Sequence, residues 1–450
     1  MEKMRDSIDF KNMDIATLFR KLLLPTVLGM IFSALSVITD GIFVGKGIGS
    51  DALAAVNIVA PLWLFSTGIG LMFGVGASVV ASIHLSHNKP KVARINITQS
   101  IVVSSLLLMC TSTLFCLFAP QVVHLLGGSE RLEPLAVEYM LWFVPFSAFT
   151  ALLNSGMFFL RLDGSPNFAM LCNITAAVLN IILDYLFIFP LGWGMFGAAL
   201  ATLIAQGISA VFSLLIFFYR MRRYKSAFAW FDGRELRSML QIAVPSVLQQ
   251  STVSIGMMIV QAVVNPFGTQ ALAGYAATMR VENVFSLIFV SIGNAVSPYV
   301  SQNLGAGKPQ RIKKGYHAAL VLDVCFAALA FLVIETLHMQ ISSLFLGKDG
   351  TALAYQVSGD YMRWLGYFFI FMGIKMATDG VLRGLGIMRP FLIANMVNLA
   401  IRLSVALICA PRFGIDFVWL AVPAGWFANF LVSYAALRKS WPMDKAVRAR

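Results

Sequence analysis

The chain has 450 residues, 58% of them hydrophobic and only 12% charged, with a mean hydropathy of +0.79. Soluble domains carry about 25% charged residues, so a water-soluble fold is excluded for most of this length. A net charge of +13 would suit a nucleic-acid partner, but the placement of the basic residues points elsewhere.

Backbone polar groups in lipid must be paired internally, which leaves helices or a closed barrel. A barrel would show alternating segments of about 10 residues. This chain shows long continuous apolar runs instead, which predicts an all-α polytopic membrane protein. The first 21 residues carry Lys3, Arg5, Lys11, Arg20 and Lys21 and read as a cytoplasmic lead-in. No small-residue cleavage pattern closes the first apolar run, so no cleaved signal peptide is expected. Apolar runs then follow at 22–46, 52–84, 95–119, 133–160, 167–190, 195–219, 238–265, 271–303, 315–338, 353–382, 390–411 and 415–437. Each is long enough to cross a bilayer, which takes about 20 residues, so twelve transmembrane helices are predicted. Pro61, Pro145 and Pro298 lie inside runs and are natural kink sites.

Basic residues set the orientation. With the N-terminus in the cytoplasm, 26 of the 34 Lys and Arg fall on the cytoplasmic side. They cluster around Lys89–Arg94, at Arg161, at 220–237, around Lys308–Lys314, at Arg383 and Arg389, and in the C-terminal tail. The outer loops hold only Lys46, Arg131, Lys348 and Arg412. This asymmetry accounts for the high pI without nucleic acid. It predicts a multi-pass protein of the inner (plasma) membrane with both termini cytoplasmic.

The chain repeats itself. His84–Pro90 (HLSHNKP) matches Gln302–Pro309 (QNLGAGKP). Gly49 meets Gly268, Gly74 meets Gly293, Leu160-Arg161 meets Leu382-Arg383, and Asn173 meets Asn395. An N-lobe over 15–220, a basic connecting loop over 221–237 and a C-lobe over 238–440 are therefore expected. Six helices per lobe make the repeat parallel, with a pseudo-twofold along the membrane normal. Transporters built from such repeats bind between the halves and rock.

Ionisable residues at bilayer depth cost about 2.5–3.5 kcal/mol each by insertion scales, so each is a functional candidate. Asp40 in the first helix and Asp184 in the fifth fall about 25–27 Å from the cytoplasmic end at 1.5 Å per residue. Asn180 precedes Asp184 by one turn on the same face, and Thr202 in the sixth helix reaches the same level. Two carboxylates, an amide and a hydroxyl can hold a proton or Na⁺. The bland alternative makes Asp40 a helix cap and pairs Asp184 with an arginine. By the repeat, Ala406 stands for Asp184, Arg402 for Asn180, and Val260 or its neighbour for Asp40. Coupling is therefore expected in the N-lobe alone. Asp379, Lys375, Gln250, Arg402 and Glu282 form a second candidate set, for substrate or a second ion. Lys375 and Asp379, four apart, could instead neutralise each other. Arg280 and Asp323 are further charges at membrane depth in this half.

The five cysteines all lie in apolar runs without metal-ligand spacing, and read as packing residues. There is no GxxxxGK[ST] loop and no GxSxG, so neither an ATP-driven pump nor an enzyme is expected. Twenty-two methionines and 36 phenylalanines could supply an adaptable apolar surface for varied ligands.

DGIFVGKGIG from Asp40, LNIILDYLF from Leu179, FGAALAT from Phe196 and the paired NKP/GKP loops resemble the multidrug and toxic compound extrusion (MATE) family. The resemblance runs from about residue 18 to 437 and is nearest to the family's DinF-like and MepA-like bacterial branches. It implies export of organic, often cationic, compounds in exchange for H⁺ or Na⁺, with a cation site at Asp40, Asn180, Asp184 and Thr202. No further cofactor is implied, and the partners are small organic molecules and the bilayer, with the chain a monomer. Other branches carry a Glu in the seventh helix, where this chain offers Gln249, Gln250 and Gln261. A flippase for a lipid-linked saccharide is the alternative; it would use Arg280, Lys375 and Arg402 on a pyrophosphate.

The orientation is directly testable. In a cysteine-free background, an impermeant maleimide should label Arg131→Cys in intact cells, and Lys91→Cys only after permeabilisation. The reverse pattern would overturn the topology.

Overall fold

The computed structural model describes residues 8–9, 12–87, 89–126, 128, 130–221, 231–346 and 351–441. Lys3, Arg5, Lys11, Arg222, Arg223, Lys225, Lys348, Lys445, Arg448 and Arg450, counted above for orientation, lie outside them. Within the described residues the chain is helical, without strands. The first half runs through α1 (Ile15–Gly47), α2 (Ser50–Ser86), α3 (Pro90–Leu117), α4 (Ala119–Leu125), α5 (Glu133–Phe143), α6 (Ala148–Leu162), α7 (Pro166–Ile188) and α8 (Gly194–Met221). The second runs through α9 (Gly233–Val264), α10 (Thr269–Gly305), α11 (Pro309–Leu346), α12 (Ala352–Gly384), α13 (Met388–Ser404), α14 (Ala410–Phe413) and α15 (Asp416–Lys439).

Among the described residues eleven helices are long and apolar enough to cross a membrane, and the pair α5–α6, bent by 46°, makes a twelfth when taken as one span. Pro145 explains the bend: it has no N–H to donate, and a 3₁₀ turn over Val144–Phe146 replaces the regular ladder there. Pro61 and Pro298, by contrast, sit inside the unbroken helices α2 and α10.

The internal repeat is visible in the backbone. Gly49 and Gly268, 219 positions apart, precede helices of 37 residues each and have φ of 134° and 102°. Gly164 (φ 74°) and Gly386 (φ 71°), now 222 apart, follow α6 and α12, which end the fourth crossing of each half. Positive φ at such corners strains any residue with a Cβ, so the glycines mark where both halves turn.

Two compact units result. One is built on Arg20–Val247; the other, on Leu248 onward, also takes the first turns of α1 up to Phe19. The division along the chain thus falls midway through α9 instead of in the basic loop. Polar bonds explain it. In the first unit the start of α9 is held by His84 Nε2 to Glu235 Oε2 at 3.1 Å and by Asn96 Nδ2 donating to the same oxygen at 2.7 Å. In the second, Arg311 Nη2 donates to the Met13 carbonyl at 2.7 Å, and Phe19 packs on Tyr299 at 5.5 Å.

Small residues let the backbones close up, as helix pairs in lipid require. In the first unit Gly70 and Gly74 of α2 face α6: a Cβ on Gly70 would lie 2.6 Å from the Ala151 Cα, and one on Gly74 2.9 Å from the Ser155 Cα. The Ser155 hydroxyl donates to the Gly70 carbonyl at 2.9 Å across this seam. The second unit repeats it between α10 and α12, where a Cβ on Gly380 would meet the Gly293 carbonyl at 2.6 Å and one on Gly384 the Ser297 carbonyl at 2.6 Å. Gly380→Leu should therefore force α12 off α10 at a cost of at least ~1–3 kcal/mol. A lowered melting temperature or a lost monodisperse peak in detergent is the expected readout, and unchanged stability would contradict this packing.

Candidate functional site

In the first unit, polar residues at matching helical spacing converge from three helices. α1 presents Ser36 and Asp40, one turn apart; α7 presents Asn173, Asn180 and Asp184; α8 presents Thr202 and Gln206. The Ser36 hydroxyl donates to Asn180 Oδ1 at 2.6 Å, and Asn180 Nδ2 donates to Thr202 Oγ1 at 3.3 Å. These groups line a cavity of about 200 Å³ together with Asp40, Asn57, Tyr139 and Gln206. Thr150 of α6 closes one side by donating to Gln206 Oε1 at 2.5 Å.

Asp184 lies behind this cavity, 0% exposed and 18 residues, or about 27 Å, into α7. It is close enough to interact with Asp40 and Asn180, yet neither of its carboxylate oxygens has a formed hydrogen bond. Tyr139 on α5 is buried within the field of both carboxylates. Among the described residues no Lys, Arg or His forms an ion pair with Asp40 or Asp184. The pairing of Asp184 with an arginine is therefore not found. Like charges facing each other at low dielectric repel strongly, and they are relieved by a shared proton or a bound cation. Every donor atom around the cavity that could hold a cation is an oxygen, which suits a hard ion such as Na⁺ as well as H⁺.

The second unit is arranged differently. Lys375 Nζ lies 3.1 Å from Asp379 Oδ2, with 1% and 3% of the two side chains exposed. Asp379 also accepts from Gln249 Nε2 at 3.0 Å and from the Ser433 hydroxyl at 2.9 Å. Its charge and lone pairs are thus occupied, as the pairing alternative expected. Gln249, not Gln250, belongs to this cluster; Gln250 is exposed. Glu282 of α10 is buried and accepts from the Tyr361 hydroxyl at 2.8 Å. Arg402 of α13 is buried near Glu282 but forms no ion pair with it, and its Nε and Nη2 have no hydrogen-bond partner. Asp323 of α11 is fully buried, with both oxygens unbonded, against Gly373 of α12.

The sequence reading missed Ser36, Gln206, Tyr139 and Gln249. The first two carry a usable signal, since Ser36 is four residues before Asp40 and Gln206 four after Thr202. Tyr139 and Gln249 have none, because they reach their clusters across helices.

Comparison with known proteins gives the family and the fold. The family model described as MatE matches residues 25–186 and 245–408, one block in each half of the chain. A protein named FAD transporter from Shewanella oneidensis is 25% identical over 389 residues, covering 84% of this chain and 82% of its own length. The multidrug export protein MepA of Staphylococcus aureus is 26% identical, over 81% of this chain and 82% of its own. Among solved structures, a MOP-superfamily transporter from Pyrococcus furiosus superposes with a TM-score of 0.88 at 22% identity, covering 96% of both chains. The Vibrio cholerae MATE transporter VcmN in its bent form gives 0.88 at 22% identity, covering 96% of this chain and 99% of its own. With both of its helical units matched by the family model, the chain belongs to the MatE family of multi-pass membrane transporters.

Proposed function

We propose that this transporter is a secondary active multidrug exporter of the inner membrane, with cytoplasmic termini, that exchanges organic and often cationic compounds for H⁺ or Na⁺ by rocking between its halves. The observation carrying this reading is the pair of carboxylates, Asp40 and Asp184, set beside a polar cavity without a basic partner. Such a pair is tolerated at membrane depth when it repeatedly gains and loses a small cation. The names of the MepA and other multidrug relatives support the same substrate class.

In this scheme Asp40 and Asp184 take up the ion from outside. Their neutralisation changes the bonds that Asn180 makes between α1, α7 and α8, and weakens binding of the outgoing compound. A proton driven by 100 mV and one pH unit supplies roughly 2.3 plus 1.4 kcal/mol, enough for several-hundred-fold accumulation without ATP. The flippase alternative loses one of its three cations, because Lys375 is neutralised by Asp379.

Efflux of a fluorescent cation from proteoliposomes, under a pH gradient and then a sodium gradient, identifies the ion. Asp40→Asn and Asp184→Asn should each cut gradient-driven efflux at least tenfold while leaving the amount of folded protein unchanged. Full transport by both single variants would refute the coupling assignment. The Lys375–Asp379 pair should behave in the opposite way. Asp379→Leu alone leaves a buried ammonium and should destabilise the protein by ~3–5 kcal/mol, whereas the double variant Lys375→Met, Asp379→Leu should recover stability and retain efflux. Loss of efflux in a stable double variant would place ion or substrate at Asp379.

A further inference from the structure

In the second unit, Arg402 and a stack of three aromatic rings beside it bury hydrogen-bond donors that have no partner. Arg402 is 5% exposed, and its Nε and Nη2 are buried without a partner. The Tyr275 hydroxyl and the Trp419 indole N–H, in side chains 3% and 1% exposed, are likewise buried and unbonded. Tyr275, Tyr361 and Trp419 form one stack, with Tyr361 and Trp419 centroids 4.3 Å apart and interplanar angles of 7–15° throughout. Arg402 acts electrostatically on Tyr275, Tyr361 and Glu282. Glu282 does not satisfy it: among the described residues the two form no ion pair, and Glu282 takes its hydrogen bond from Tyr361.

Guanidinium N–H groups held out of water with no carboxylate on their fork are costly unless something else meets them. Four local features show that the position is built for this side chain. Gly256 of α9 leaves room against it, since a Cβ there would stand 3.4 Å from the Arg402 Cδ and 3.5 Å from Nη1. Immediately after it the helix opens into a π-helical stretch, Val405–Cys409, a distortion that recurs at functional sites. The matching segment of the first unit, 222 positions earlier, is regular α-helix and carries Asp184. Where the first unit places Asn180 and Asp184, the second places Arg402 and Ala406, so one half offers acceptors and the other donors.

We propose that the second unit holds a binding site for the anionic group of a transported molecule, a phosphate or carboxylate, centred on the Arg402 guanidinium and completed by the Trp419 and Tyr275 donors. Arginine's planar fork suits such groups, which accept two parallel N–H bonds. The proposal deepens the transporter reading by adding anionic amphiphiles to the cargo, and it rests on that reading. Its test is equilibrium binding without any gradient, so it can fail while coupled export stands, and the reverse.

The experiment uses the purified full chain in phosphatidylcholine nanodiscs with three fluorescent probes: flavin mononucleotide, riboflavin (the same ring without the phosphate) and ethidium. The wild type should bind the mononucleotide at least tenfold more tightly than riboflavin. Arg402→Gln should abolish that preference, Arg402→Lys should keep part of it, and ethidium binding should be unchanged in both. Trp419→Phe keeps an aromatic ring in the stack while removing the N–H along with part of the indole, and should weaken the mononucleotide and leave ethidium unchanged; it also serves if Arg402→Gln does not fold. Phosphatidic acid added to the nanodiscs separates the sources: competition that depends on Arg402 assigns a lipid headgroup, and its absence a soluble anion. No preference for the mononucleotide in the wild type, or the same preference in Arg402→Gln and Trp419→Phe, overturns the proposal.

Discussion

A charge removed from water must be paired, neutralised or put to use, and that constraint organises both halves of this protein. Hydrocarbon offers no solvent to an ion, so an unmatched side chain survives there only where the surrounding bonds hold it for a purpose. The Lys375–Asp379 pair obeys the constraint completely, with Gln249 and Ser433 filling the remaining lone pairs. Asp184 and Arg402 stand apart: each is buried, unbonded, and located on the same repeated helix of its own unit. Asp323 shares the lack of hydrogen bonds and packs closely against Gly373 of α12.

The close approach of helices makes these positions accurate. The glycines of α2, and those of α10 and α12, bring backbones to van der Waals contact. A carbonyl against a glycine leaves little freedom for sliding, so the polar side chains one or two turns away are held at fixed heights. The same glycine seam recurs in both units, at α2–α6 and at α10–α12.

Much of this was legible in the sequence. Twelve apolar runs and the two-part repeat gave the helical class and the helix count, because crossing a bilayer leaves few alternatives, whereas the boundary between the two units lies inside α9 and not in the basic loop. Rise per residue alone put Asp40, Asn180, Asp184 and Thr202 at one depth; the structure adds that Asp40, Asn180 and Thr202 line one cavity and that Asp184 is not part of its lining. What could not be read depends on contacts between helices far apart in the chain. Gln249 rather than Gln250 reaches Asp379 because of the rotation of α9, and an error of one residue turns a helix face by 100°. The assignment of α1's first turns to the second unit rests on Arg311 and Lys308, which no local pattern announces. The π-helical stretch after Arg402 has no apolar periodicity of its own and was likewise invisible.

The break at Pro145 makes the two repeats mechanically unequal. Tyr139 lies before it and Thr150 and Leu153 after it, and all three border the acid cavity or close its wall. In the other half Tyr367 occupies the corresponding place, and α12 runs on as a single rod from Ala352 to Gly384. One repeat thus owns a joint beside its two buried carboxylates, while its twin is a stiff strut. Under the proposed exchange, a change of charge at Asp40 or Asp184 would fall next to that joint, in the half whose helix is already broken.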